Sequence, residues 1–515
     1  MKRLPLHRRP WFLAFALSCA AAAGETVAAQ SDVAFPKEVY AARRARLAAQ
    51  AGDALVIVPG RYSIGDEELY KQDPNFWYLT GVESPCAILV MVPGPTASDS
   101  RSNAASSSPS GPRAVLFLPE KYQFASSQYP MADEGFRRAV WNRPVRRLAP
   151  GKEATEATGI AETYPIDEFA ARLVELAAGR SAVYLPLDGM KLYAPPGLAP
   201  PVTLPQQFAS AIATRLPSLE QKNLSALLAP MRMVKDSYEI AALRRAAEIS
   251  GNGLVAAMKA ARPGMNDREI AGLMEYVWKR EGSARASFPP IVASGTSAMT
   301  FFTLRGENYN STDHVMRDGD LVFVDYGAAE YATYTSDLCR TFPVSGKFTP
   351  EQRKYYDIVL EAQEAAIAAV KPGGMMLDVI KAAAEVYRRH GLEPYEDIAR
   401  MGEDKVWGLM PSPTHYLERN AGLQRYTRMG VGVRDLGHPI GLEATELRDY
   451  SRPLAPGTVV TIEPKIYIPE KTIAIMIEDE VLVTADGHEV LSTRAPKKAD
   501  DIERLMQSSK TAPKM

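Results

Sequence analysis

The stretch from Asp318 to Glu330 reads D-G-D-L-V-F-V-D-Y-G-A-A-E. Asp318 and Gly319 make a turn. Leu321 to Val324 is an apolar run too short for a helix and rich in β-forming residues, so a buried strand is expected there. That strand ends on Asp325, where the pattern predicts interior. A carboxylate in that position is costly unless a partner or a metal neutralises it. After a polar turn the chain is expected to return over Tyr331 to Val344 as the adjacent antiparallel strand, which sets Asp337 facing Asp325.

Further along, P-G-T-V-V-T-I-E from Pro456 to Glu463 repeats this grammar. It has the glycine turn, the apolar run and a carboxylate six positions after the glycine, as Asp325 is after Gly319. Its returning strand, Ile473 to Val483, carries Glu478 in I-E-D-E. Between the copies lies His438 in D-L-G-H-P-I-G-L, a nitrogen donor in an otherwise apolar segment. A single carboxylate at a strand end is ordinary turn chemistry, and a single histidine in an apolar stretch is ordinarily a hydrogen-bonded core residue. The doubled spacing sets these five apart, because four carboxylates buried together repel one another unless cations separate them. With the histidine they form a hard, oxygen-rich donor set suited to two divalent ions, manganese first, with zinc and cobalt as alternatives.

V-D-Y-G, S-D-L-C-R-T-F-P-V-S-G-K-F-T, G-H-P-I-G-L-E, T-I-E-P and I-E-D-E resemble, in that order, the metal motifs of the pita-bread metallopeptidases, notably aminopeptidase P and prolidase. Q-D-P-N-F-W-Y-L-T-G at 72–81 resembles a motif of the aminopeptidase P amino-terminal domain, so the resemblance spans most of the chain. It implies that Asp325, Asp337, His438, Glu463 and Glu478 are the ligands of a dinuclear site, with Glu463 also the general base. The implied activity is that of an Xaa-Pro aminopeptidase, cleaving the amino-terminal peptide bond of a peptide substrate with a metal-bridged hydroxide. Relatives of this kind are often dimers or tetramers, so a homo-oligomer is implied too.

Several positions depart from the pattern. Phe302, Arg434 and Thr445 stand where the resemblance leads one to expect histidines that bind substrate and stabilise the tetrahedral intermediate, and Met476 stands in place of an arginine. Arg434 is then a candidate donor toward a developing oxyanion. Of the six histidines, His314 and His415 are the two placed in loops from which they would compensate, whereas His390 and His488 read as helix-end and turn residues. Two other readings stay open: a pita-bread enzyme acting on a non-peptide amide, and a catalytically degenerate homologue whose metals are structural.

The chain has 515 residues, 46% of them hydrophobic, enough for two or three cores. A net charge of −1 argues against a nucleic-acid partner. Lys2, Arg3, Arg8 and Arg9 precede the apolar run Trp11 to Ala23, and Val27-Ala28-Ala29 offers a small-residue cleavage site, so residues 1–29 read as a signal for export to the periplasm or beyond. Arg8-Arg9 is a loose twin-arginine signature, Cys19 offers a poor site for lipid anchoring, and the apolar run is too short for a membrane span. Cys86 and Cys339 are expected as buried free thiols.

Residues 30–230 alternate helix and strand, an α/β domain. Its expected helix covers 37–51, with Val39, Ala42 and Leu47 inward, and its strands cover 54–58, 87–92, 114–118 and 182–185. A helical stretch is expected over 167–178. Residues 93–113, rich in Ser, Ala, Gly, Pro and Asn, read as a disordered insertion between two strands, and the proline-dense 195–205 as a rigid loop. The pita-bread domain, α+β, is expected over 231–505. In it Asp236 with Glu239, and Asn266 with Glu269, form capping boxes that open two helices. A strand at 291–293 and helices near 350–370 and 376–390 complete it, with 506–515 a tail.

Overall fold

The structure is a computed structural model and describes residues 35–62, 70–94, 112–119, 148–188, 202–299, 313–392, 430–432, 436–446 and 452–510. The expected signal sequence, Phe302, His415 and Arg434, and most of the insertion and the proline-dense loop lie outside these residues.

Strands β1 (Leu55–Pro59), β2 (Ile88–Val92), β3 (Arg113–Leu118), β4 (Glu162–Pro165), β5 (Ala182–Leu185) and β6 (Glu220–Asn223) form one sheet in the order β4-β3-β2-β1-β5-β6. The β1–β2–β3 pairs are antiparallel and the outer pairs parallel, so helical crossovers cover the sheet. Val92 pairs with Arg113, so the expected insertion is the connection of a hairpin, and Arg113 opens a strand instead of closing the insertion.

Helix Lys37–Ala51 buries Tyr40, Arg43, Arg44, Leu47 and Ala51, whereas Ala42, expected inward, is exposed. The inner face was displaced because two of its members are arginines, which an apolar pattern cannot show. Arg44 donates to the Leu79 and Thr158 carbonyls at 2.8 and 3.0 Å. Arg43 pairs with Asp236 at 2.8 Å and Glu239 at 3.1 Å, the residues that cap the first helix of the second half. Buried guanidinium groups are tolerated only with such partners.

In the second half, helices Ser237–Ala260 and Asp267–Arg280 start at the two expected capping boxes. With Pro350–Ala369 and Met376–Arg389 they pack on short antiparallel strands. Strands β7 (Val292–Ser294), β8 (Leu321–Asp325) and β11 (Cys339–Pro343) form one sheet. Strands β13 (Val459–Ile462), β16 (Asp479–Val483) and β17 (His488–Val490) form a second, and β12 (Gly430–Gly432), β14 (Lys465–Ile468) and β15 (Ile473–Met476) a third. One apolar cluster, running from Trp278 and Tyr326 through Phe342, Tyr356 and Ile462, joins helices to strands. Each such side chain contributes about 1.5–3 kcal/mol when fully buried.

Both expected return strands are broken. Glu330–Tyr331 (β9) and Tyr334–Thr335 (β10) make a small hairpin of their own, and Asp337 follows it outside any strand. The turn residues Ala332 and Thr333 have φ of 50° and 72°, a region ordinarily occupied by Gly or Asn. With Ala-Thr there, the sequence carries no turn signal. Likewise Ile473–Val483 changes partner at Ile477–Glu478, β15 pairing with β14 and β16 with β13. The apolar pattern continues through the break, which hides it. At the far end, helix Ala499–Lys510 runs into the expected tail and buries Met506. No described helix is long and apolar enough to cross a membrane.

Candidate metal centre

Strands β8 and β11 pair with Asp325 opposite Cys339, so Asp337 lies two residues before the strand end that faces Asp325. Strands β13 and β16 pair with Ile462 opposite Asp479, which leaves Glu463 and Glu478 at the next position on each side. The Glu478 amide donates to the Cys339 carbonyl at 3.0 Å and joins the two hairpins end to end. Leu436 to Ile440 runs along β13: the His438 amide donates to Thr461 Oγ1 at 3.1 Å, the Thr461 amide to the His438 carbonyl at 2.9 Å, and the Glu463 amide to the Leu436 carbonyl at 2.6 Å.

These contacts bring the five expected residues to one place. His438 Nε2 is 3.4 Å from Asp337 Oδ2 and 3.7 Å from Glu463 Oε1. Donor atoms of Asp337, His438 and Glu478 lie within 4.8 Å of one another. His438 Nδ1 faces the Pro439 carbonyl at 3.3 Å, an acceptor that favours the proton on Nδ1 and leaves Nε2 as a ligand atom.

The cluster is electrostatically unsatisfied. Burial, then the charges of Asp337 and Glu463, push the Asp325 carboxyl well above the usual range. Glu478 rises for the same reasons, burial first and then Asp337, Glu463 and Asp325. Asp337 is raised by burial against the pull of His438. Glu478 Oε2 is buried with no hydrogen-bond partner among the described residues. Buried, mutually repelling carboxylates with an orphaned oxygen fit hard divalent cations. Cys339, buried beside them, donates its thiol to the Met476 carbonyl at 3.6 Å, and burial followed by the Asp325 charge raises its pKa, so it offers no thiolate. Cys86, by contrast, is only half-buried, and both thiols are free.

The rest of I-E-D-E supports the first glutamate. Arg340, fully buried, donates to the Cys339 and Glu478 carbonyls at 2.9 and 2.5 Å and to Asp479 Oδ1 at 2.6 Å, clamping the place where the strand breaks. Burial opposes ionisation of Asp479, yet Arg340 and Lys497 hold its carboxyl below the ordinary value. Glu480 Oε1 accepts the Asp337 amide at 3.0 Å. Arg340 follows three residues after Asp337, and Asp479 and Glu480 directly follow Glu478, so charged residues crowded beside the candidate carboxylates inside buried strands are the sequence signal of these supports.

Lys465 also borders the centre, and its place in T-I-E-P-K gives no sign of it. Its Nζ lies 3.0 Å from Glu463 Oε2, and it pairs in register with Met476, so a cation stands one strand away from the position where an arginine was expected. His314 does not reach the centre. It sits 3.4 Å from Asp320, at the opposite end of β8 from Asp325, roughly 17 Å along a strand. His390 ends its helix against Glu361, and His488 opens β17 instead of a turn, facing the Val370 carbonyl. Thr445 lies in the loop after His438, next to Glu446, which Arg232 and Lys235 hold at 2.9 and 3.2 Å.

Residues 241–485 match metallopeptidase family M24, and residues 40–184 match the aminopeptidase P, N-terminal domain. The chain is 31% identical over 470 residues to the Xaa-Pro aminopeptidase of Escherichia coli (strain K12), covering 87% of this chain and 91% of that one. It is similar to the solved aminopeptidase P of E. coli with the inhibitor Pro-Leu, at a TM-score of 0.68 and 26% identity over 93% of this chain and all of the other. The structure of Pseudomonas aeruginosa aminopeptidase PepP gives the same TM-score and identity, over 93% and 99%.

Proposed function

The chain belongs to metallopeptidase family M24, with an aminopeptidase P amino-terminal domain before the pita-bread domain, and from that premise we propose that it is an exported, dinuclear Xaa-Pro aminopeptidase. The observation that carries the reading is the meeting of Asp325, Asp337, His438, Glu463 and Glu478 at the joined ends of two like hairpins. Asp325, Asp337, His438 and Glu478 would hold the ions, with Glu463 beside His438 as the fifth ligand. Manganese is the first choice, since four carboxylates and one imidazole are a hard set. When bound, the ions supply Lewis acidity and an activated water.

The chain's own residues do the rest. Glu463 presents Oε1 toward the centre and would accept the proton of the attacking water there. Arg340 and Glu480 fix Asp337 and Glu478, so little reorganisation is left for the reaction. Thr445 and Phe302 lack the ring nitrogens expected at their positions. Each missing donor costs about 2.7–4 kcal/mol of transition-state stabilisation unless another replaces it, and Arg434 is the candidate replacement. Residues 1–29 support export, and the substrate is a peptide with proline second.

The test is release of the first residue from a short Xaa-Pro peptide by the purified chain with Mn²⁺ added, alongside Glu463→Gln. Turnover that stops in the variant is expected. Two bound ions with no turnover of any amide would overturn the reading in favour of structural metals, to which the absent histidines already lend weight.

A further inference from the structure

Lys465 opens β14 in the middle of a three-stranded sheet, paired to Met476 on one side and Gly432 on the other. Its backbone is therefore fixed on both edges, and its carbonyl accepts the Tyr387 hydroxyl at 3.3 Å. The side chain is only 7% exposed and runs into the carboxylate cluster, where Nζ donates to Glu463 Oε2 at 3.0 Å. Lysine is almost never this buried unless paired, and here its partner is a residue of the centre itself. Of the two lone pairs on that oxygen, the one that receives the ammonium N–H is not offered to a metal, and the positive charge beside the other weakens it as a donor to a cation.

We propose that Lys465 is a built-in counter-ion of the metal centre, which holds Glu463 Oε2 while the site is empty and competes there with the second divalent ion. The inference rests on the ligand reading above. With the cluster empty, the ammonium offsets the charge of Glu463 and helps to keep the metal-free chain folded. As ions enter, the same charge opposes them, so the two ions bind with unequal affinity. A lysine that merely oriented Glu463 for the metal would have the opposite effect, since its loss would weaken binding.

The experiment is calorimetric titration of Mn²⁺ into the chelator-stripped full chain, with thermal melting of the same samples, for the wild type, Lys465→Met, Lys465→Gln and Lys465→Arg. Removing the charge, by Met or by Gln should Met not fold, is expected to tighten the second ion by about tenfold and to lower the metal-free Tm. Arg is expected to behave as wild type. A second ion bound equally or more weakly by the charge-free variants, with two ions still bound by the wild type, overturns the inference alone. A wild type that binds no Mn²⁺ overturns the ligand reading with it.

Discussion

At Asp325 the free energy of a single carboxyl states the problem the centre has to solve. To ligate it must be ionised, yet burial and then Asp337 and Glu463 push it well above the usual range. Its charge is therefore a burden in the empty site and an asset only beside cations. Asp325→Asn separates the two. In the metal-free chain a repelling charge disappears, so Tm is expected to hold or rise. In the metal-loaded chain a ligand disappears, so metal content is expected to fall and the stabilisation by bound ion, about 3 kcal/mol at a hundredfold excess over Kd, to shrink. Elemental analysis and melting of the same preparation read both, and unchanged metal content in the variant removes Asp325 from the ligand set.

Elements place these side chains by backbone contact, and the tightest contact is the pass of Leu436–Ile440 along β13. A Cβ built on Gly437 falls well inside the contact distance of the Thr461 carbonyl oxygen, a backbone atom that cannot step aside. Gly437→Ala is thus expected to push the segment off β13, breaking the paired bonds between His438 and Thr461 and withdrawing Nε2 from Asp337. A loss of about 3–5 kcal/mol is expected, with reduced Mn²⁺ affinity; wild-type melting and metal binding in the variant would show that the segment has room to move. The placing of the candidate residues was legible in the sequence because a strand end after a glycine turn has a fixed length, so the same spacing twice set Asp325 and Glu463 in equivalent places. The breaks that aim Asp337 and Glu478 were not legible. Ala332-Thr333 adopts a glycine-like turn without glycine, and Ile477–Glu478 changes sheet inside an unbroken apolar run. Lys465 was hidden for a related reason: a lysine next to a turn ordinarily reads as surface, and only the pairing of β14 on both edges turns it inward.

At the scale of the whole molecule, the amino-terminal domain reaches the centre through a buried polar junction. Arg43 of the first helix pairs with Glu239, and Tyr334 donates to Glu239 at 3.0 Å from β10, which ends two residues before Asp337. Glu239 is 2% exposed, and burial pushes its pKa from an ordinary 4.5 up to about 7, against the pull of Arg43. The folded chain therefore holds this proton more tightly than the unfolded chain does. Its contribution to stability is complete below about pH 4.5 and is lost as pH rises toward 7, up to about 3 kcal/mol in all. Glu239→Gln keeps one carbonyl oxygen to accept the Asp236 amide and turns its amide NH2 toward the Tyr334 hydroxyl, which then accepts, and it cannot titrate. The variant is expected to equal wild type or fall below it at pH 4.5, where a protonated Glu239 fits Arg43 and Tyr334 as well as Gln does or better, and to gain on it steadily through neutrality. Urea midpoints of both chains at half-unit steps from pH 4.5 to 7.5 measure the difference. Parallel curves would mean that Glu239 stays ionised throughout, held by Arg43, and that the junction between the domains is a plain ion pair.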